Sequence, residues 1–365
     1  MKTRLPTVGI LIPCYNYARF LEQCVRSVQT QVGVVIRIVV IDDASTDDSA
    51  QIAARLARED SRIQLISLPK NLGMIPAVNV GIRKIEGDYF VKLDADDMLA
   101  AGSLARAVSL LEEFPNIGFV YGWPRHFTGE FPRCASTGHH RWTMGTAVEW
   151  LVTRGVPNRT IWSGSDWLEL RYRRARNCIR QPEAVIRCST LRSVGEYNPK
   201  LPHTSDLEMW LRLAAISDVG RINLTDQGYY RVHADSMQHT VNSGLLTDLV
   251  GRRGAFLSEP LAPWSRQSGG ESFEDIVRKE LAIQAVEGAC AAFDREPVDG
   301  VLIDKLVEFG VSTFPTVITL PQWRMLGRRR RSRWSGRWSP AALTASAIRS
   351  SKNEFQYLRW MRTGA

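Results

Sequence analysis

Paired cysteines, long apolar runs, internal repeats and a distributed positive charge are all missing from this chain, and each absence excludes a class of protein. Its six cysteines (Cys14, Cys24, Cys134, Cys178, Cys188, Cys290) show no C-x-x-C spacing in 365 residues. That argues against a disulfide scaffold and for reduced thiols in a cytosolic protein. The opening apolar run V-G-I-L-I stops at Pro13, too short for a secretory leader. No stretch approaches the ~18 residues of a membrane-spanning helix, so the chain reads as cytoplasmic, docked if at all on the inner face of the membrane. The formal charge of +9 is a property of one end: residues 321–365 carry ten Arg and one Lys against the single Glu354, leaving the first 320 residues near −1. A near-neutral body argues against nucleic acid as a partner.

What is present is a regular alternation. From Thr7 to Trp123, short β-branched runs (V-G-I-L-I-P, I-R-I-V-V-I, I-Q-L-I-S-L, D-Y-F-V-K-L, I-G-F-V-Y) are separated by amphipathic segments near 17–30, 46–59, 74–85 and 100–113. Such repetition predicts an α/β fold with a mostly parallel sheet flanked by helices. Ser45 or Thr46 is placed to cap the second helix. Residues 124–178 break the rhythm and read as an acceptor-facing or lid insertion. Order returns at A-V-I-R-C-S-T-L and again at S-D-L-E-M-W-L-R-L-A-A, where Leu207, Trp210, Leu211 and Ala214 fall at core spacing. The chain divides into a main domain over 1–240, a helical extension over 241–320 and a basic Arg/Trp-rich tail over 321–365.

Acids collect where strands end. D-Y-F-V-K-L runs into Asp94, Asp96 and Asp97, and I-R-I-V-V-I runs into Asp42 and Asp43. Two strands delivering carboxylates to one edge of an open sheet mark a nucleotide site. Asp94 and Asp96 lie on one side of an extended segment and can share a hard cation, Mg²⁺ or Mn²⁺, or divide between cation and ribose. Asp97 alone can serve as a solvated turn acid. P-C-Y-N at 13–16 follows the first strand; Tyr15 offers an aromatic face to a base, while Pro13 and Asn16 serve either as donor contacts or as a strand-end proline and a helix cap.

P-C-Y-N, V-V-I-D-D-A-S-T-D-D-S, K-N-L-G with N-V-G-I, G-D-Y-F-V-K-L-D-A-D-D, S-D-L-E-M-W-L-R-L and Y-R-V-H occur in one order over roughly residues 5–235. That series resembles family 2 glycosyltransferases of the GT-A fold. The resemblance implies inverting transfer of a sugar from a nucleotide-diphosphate donor, most often a UDP-sugar, with a divalent ion on the diphosphate. It implies that Tyr15 and Asp43 bind the base, with Asp42 a possible substitute. It further makes Asp94 the ribose-side acid, Asp96 the metal ligand and Asp206 the general base, and it places His233 near the diphosphate or metal. Glu208 lies two residues beyond Asp206 and points about 200° away on a helix, so only one of the two faces the cleft. Ser205 departs from the pattern where relatives carry a second acid, as does Val78 where they often carry a donor-contacting Arg; Lys70 is the candidate replacement charge.

The tail mixes Arg with Trp323, Trp334, Trp338 and Trp360, a composition suited to an anionic lipid interface and hence to a lipid-linked or carbohydrate acceptor. Gln356, Arg359 and Trp360 spell Q-x-x-R-W, as in processive synthases, but lie about 150 residues beyond Asp206 and read as coincidence. Two rival readings stay open: a nucleotidyltransferase built on a similar sheet, and a non-catalytic membrane-docking scaffold.

Overall fold

The computed structural model describes residues 4–129, 156–179, 181–233, 244–266, 271–294 and 297–331. Residues 130–155 of the expected insertion, and the Q-x-x-R-W match, lie outside the described residues. The chain forms two compact units, one of residues 1–167 and 178–236, the other of 168–177 and 237–365.

The first unit is a nine-stranded sheet. Strands β1 (Thr7–Cys14), β2 (Val35–Asp42), β3 (Ile63–Ser67) and β4 (Tyr89–Lys92) alternate with helices α1 (Ala18–Gln29), α2 (Ser49–Glu59) and α3 (Met74–Ile82). They pair in parallel in the order β3-β2-β1-β4. Beyond β4 come β5 (Met98–Leu99), α4 (Ser103–Glu113), β6 (Ile117–Phe127), β7 (Arg159–Trp162), α5 (Gly164–Arg174), β8 (Val185–Arg187), α6 (Cys188–Val194), α7 (Ser205–Ala214) and β9 (Asp218–Arg231). Strand β8 is antiparallel to both β4 and β6, whereas β6 and β9 run parallel. The expected α/β layering and mostly parallel central sheet are therefore present.

Alternation decides the layers. Ile10, Ile12, Ile38, Val40, Val91 and Leu93 face α1 and α2, where Leu21, Cys24, Val25 and Val28 meet them in one buried cluster. Each such aliphatic side chain contributes roughly 1.5–3 kcal/mol by leaving water. On the opposite face α3 packs so tightly on β1 that a Cβ on Gly81 would stand 2.2 Å from Leu11 Cδ1, which explains the glycine of the N-V-G-I segment.

Two short-range expectations are corrected. Ser45 and Thr46 do not cap α2. The first helical amide, Ser49 N–H, donates to Asp47 Oδ1 at 2.9 Å, and Asp47 Oδ2 also accepts from Ala18 N–H at 3.1 Å. Nor does Asn16 cap α1: it accepts from the Thr46 amide at 2.8 Å and hydroxyl at 3.2 Å, while its own N–H donates to Ser45 Oγ at 3.0 Å. A side-chain latch thus joins the loops after β1 and β2. Both turns hold a non-glycine residue in the left-handed region, Asn16 at φ 59° and Ala44 at φ 57°.

The second unit is helical. Helices α8 (Leu245–Phe256), α9 (Phe273–Phe293), α10 (Gly300–Thr313) and α11 (Pro321–Arg331) follow the first unit in the chain. Its core includes Val277, Leu281, Ala285, Val286, Ala289, Ile303 and Leu306. The α9 helix is capped by Ser272, which accepts from Asp275 N–H at 3.0 Å. Arg329 on α11 pairs with Asp294 at 3.1 Å, with both side chains largely buried. The expected helical character of 241–320 is seen wherever that segment is described; its S-G-G break at 268–270 lies outside the described residues.

Left-handed backbone disfavours a Cβ but suits glycine. Ala44→Gly is therefore expected to stabilise the protein by about 0.5–1 kcal/mol, read as a higher thermal midpoint; a lowered midpoint would show that Ala44 carries no strain.

Candidate active site

Parallel register carries distant residues to one edge. Cys14 at the end of β1 is aligned with Asp42 at the end of β2, and Leu11 with Lys92 at the end of β4. Pro13, Tyr15, Asn16, Asp42, Asp43, Asp94, Asp96 and Asp97 therefore all emerge at the carboxyl edge of the parallel strands. Tyr15 is 42% exposed, so its ring is free to meet a flat partner. The acid pair divides its work. Asp43 accepts from Leu72 N–H at 2.7 Å and Gly73 N–H at 2.9 Å, fastening the loop before α3. Gly73 itself stands at φ 84°, a backbone conformation that suits glycine. Asp42 is buried with Oδ1 unpartnered, its Oδ2 accepting only a long 3.4 Å bond from Ser45 N–H.

Asp96 and His233 meet. The His233 Nε2 and Asp96 Oδ2 atoms lie 3.0 Å apart, and neither side chain exceeds 13% exposure. Strand β9 ends at Arg231, two residues before His233, and that arginine ties the two segments together. Its N–H donates to Asp97 Oδ1 at 2.9 Å, and its guanidinium donates to Asp96 O at 2.9 Å, to Gly129 O at 2.7 Å and to Gln23 Oε1. The same guanidinium lies 4.3 Å from the Phe20 ring centroid and 4.4 Å from that of Phe127. Asp97 is therefore not the solvated turn acid expected from the sequence. It is buried, with Oδ2 unpartnered, and it fastens β9 to the acidic turn.

Lys92 is a buried ammonium that sequence reasoning passed over. It donates to Asp94 Oδ1 at 2.7 Å, its side chain only 2% exposed against 28% for Asp94. Burial pulls its pKa down, yet the charges of Asp94, Asp206 and Asp97 more than offset this and hold it raised. Burial likewise raises Asp94; Lys92 opposes that shift while Asp96 and Asp206 add to it. Burial also raises Asp97 well above the ordinary carboxylate value, with Asp96 and Asp94 reinforcing it. These directions agree, because several carboxylates surround one ammonium. The available signal was a lysine inside an otherwise apolar strand.

Asp206 begins α7 and belongs to the same electrostatic group, since its charge acts on Lys92, Asp94 and Tyr197. Its Oδ1 is buried and unpartnered, although the residue keeps partial exposure. Glu208 turns away as the helical spacing requires and pairs with Arg212 at 2.9 Å. Leu207, Trp210, Leu211 and Ala214 are all buried, fixing the face that α7 presents. Val78 is fully buried and cannot reach a donor, whereas Lys70 is exposed.

The open α/β sheet thus carries acids, an aromatic ring and a carboxylate–imidazole pair at its carboxyl edge. The profile of glycosyl transferase family 2 matches residues 9–193, and the chain belongs to that family. An uncharacterized glycosyltransferase of Haemophilus influenzae is 35% identical over 107 residues, covering 29% of this chain and 43% of that protein. An Escherichia coli chondroitin synthase is 28% identical over 180 residues, 45% of this chain and 26% of that one. The chain thus spans less than half the length of these relatives. Among solved structures, S. aureus TarS in complex with UDP-GlcNAc shares the fold at TM-score 0.54 and 13% identity, over 87% of this chain and 91% of that one. The Pyrobaculum calidifontis mannosyltransferase PcManGT with GDP-Man and Mn²⁺ does so at 0.51 and 16%, over 98% and 84%.

A carboxyl pKa raised by folding means that the folded state holds its proton more tightly than the unfolded chain, so this contribution to stability falls as pH rises from the ordinary value of 3.8 through the raised one. Asp97→Asn removes the penalty and keeps an acceptor for Arg231 N–H. In metal-free buffer its stability relative to wild type is expected to be greater at pH 8 than at pH 4, measured by urea denaturation. A difference independent of pH would mean that Asp97 titrates normally.

Proposed function

We propose that this enzyme moves a single sugar from a UDP-sugar to an acceptor hydroxyl with inversion, using Asp206 as general base. The observation that carries this reading is the unpartnered, buried Asp206 oxygen in a cluster with Asp94 and Lys92, while the neighbouring acid Glu208 is neutralised by Arg212. Inversion is one in-line displacement, so the attacking hydroxyl must lose a proton as the bond forms. A half-exposed carboxylate on a rigid helix meets that need. Tyr15 stacks on the base, and Asp43 accepts its imide hydrogen through lone pairs left over from the two loop amides, with Asp42 Oδ1 beside it as a second acceptor. Asp94, held by Lys92, faces the ribose. Pro13 shapes the turn that presents Tyr15.

Asp96 and His233 suit Mg²⁺ or Mn²⁺. Among the described residues no group of three or more His, Cys, Asp or Glu is placed to hold a metal ion, so this pair would leave most of an octahedral shell to diphosphate oxygens and water, as such ions prefer. The ion would supply positive charge to the departing diphosphate. Structures of the same fold with UDP-GlcNAc, and with GDP-Man and Mn²⁺, lend support.

Isothermal calorimetry with UDP and Mn²⁺ is expected to show metal-dependent binding that Asp96→Ala abolishes; tight triphosphate binding without UDP affinity would instead indicate nucleotidyl transfer. Asp206→Asn should keep UDP affinity and lose about 10²–10⁴ in turnover, and full activity in that variant would reject the base.

The setting we propose is surface glycan or glycolipid assembly, on a carbohydrate or lipid-linked acceptor, at the cytoplasmic face of the membrane. No described helix is long and apolar enough to cross a membrane. Along α11, Leu326 and Arg329 turn inward, while Arg324, Met325, Arg328, Arg330 and Arg331 are exposed. Each such cation near anionic lipid contributes about 1 kcal/mol. Flotation with phosphatidylserine vesicles is expected to carry the full chain and to lose it on deletion of 321–365; equal flotation would rule out the tail as the anchor.

A further inference from the structure

An exposed arginine touches the Asp96–His233 pair from the side of α1. Arg19 lies in the first turn of that helix, and its Nη2 stands 3.4 Å from His233 Nδ1, while Nε2 of the same ring stands 3.0 Å from Asp96 Oδ2. A single imidazole therefore separates a guanidinium from the carboxylate read as the metal ligand. The guanidinium carbon also lies 4.4 Å from the centroid of the Phe20 ring. Phe20 and Tyr17 in turn pack on His233, with ring centroids 5.1 and 6.1 Å away. A ring face attracts a cation without occupying its N–H donors.

The helix fixes where this arginine can go. Asp47 Oδ2 accepts from the Ala18 amide at the start of α1, and the buried Leu21, Cys24, Val25 and Val28 fall on the side of the helix opposite Arg19. The side chain is thus directed to solvent at the edge where the acids emerge. The other cations near this edge are differently placed. Lys92 is buried against Asp94, and Arg231 is buried against Phe20 and Phe127. The exposed Lys70 sits on the loop before α3, whereas Arg19 meets His233 directly.

The charge balance of the reaction calls for a further cation. A nucleotide-diphosphate sugar carries two negative charges. As the anomeric C–O bond breaks, its electron pair passes to the diphosphate and adds a third, while the acceptor oxygen bonds to the sugar carbon and gives its proton to Asp206. A divalent ion on Asp96 leaves one positive charge once that carboxylate is met, so fixed positive charge is needed for the rest. We propose that Arg19 contacts the diphosphate of the donor and neutralises the charge that builds there as the sugar leaves. This role deepens the donor-site reading above and rests on it. A guanidinium suits it, since its planar fork of N–H groups matches phosphate oxygens.

The test uses the full-length enzyme at saturating Mn²⁺ and calorimetry with UDP and, by competition, with uridine, which has no phosphate. Arg19→Met keeps an apolar stem at this exposed position and removes the charge. It is expected to weaken UDP binding on the order of 10-fold or more and to leave uridine binding unchanged. Because His233 lies between Arg19 and Asp96, the substitution is repeated in a His233→Ala background, where a loss of about the same factor is expected. Unchanged UDP affinity, or an equal loss for uridine, overturns the proposal. So does the absence of any further loss in the His233→Ala background, which would mean that Arg19 acts only by holding the imidazole. Wild type with no affinity for UDP defeats the donor-site reading itself, a result distinct from a loss confined to the diphosphate.

Discussion

Like charge crowded into little space is the constraint around which this site is organised. The charges of Asp96 and Asp206 act on Asp94, those of Asp94 and Asp96 act on Asp97, and the buried Lys92 is the ammonium set among them. Repulsion of this kind raises carboxyl pKa values and stores unfavourable energy that a cation or a proton relieves. An edge of this composition is held in readiness for positive charge. Its strain is borne by the rest of the unit, including the apolar cluster beneath β1, β2 and β4 and the Arg231 bridge that fastens β9 to the acidic turn.

The fold was legible because its signals were local and repeated. Period-2 apolar runs ending in turn residues located β1 to β4 and β6 within a few residues, and the helical spacing of Leu207, Trp210, Leu211 and Ala214 located α7. The short strands β5, β7 and β8 escaped because two- to four-residue segments have no period to read. Helix starts were less accurate, since capping depends on which of several Ser, Thr and Asp side chains reaches the amides. At α2 it was Asp47, and Ser45 and Thr46 were drawn into a contact with Asn16 that no local pattern reveals.

The site was legible to the extent that acids at strand ends announce themselves. Asp96 and His233, 137 residues apart, do lie together, and Asp206 shares a cluster with Asp94. Other buried polar groups at this edge were hidden. Lys92 and Tyr197 look like ordinary strand and loop residues until tertiary structure buries them, and Asp97 looked solvated for the same reason. Burial turns an unremarkable polar side chain into a constrained one, and burial is a property of the whole sheet.

The latch between the first two loops also bears on motion. Asn16 is bonded to Ser45 and Thr46, and Asp47 to Ala18, so the aromatic platform of Tyr15 and the turn following Asp42 and Asp43 form one mechanical piece. A ligand arriving at this edge would encounter one preformed surface instead of two independently fluctuating arms. Little ordering entropy would then be lost on docking.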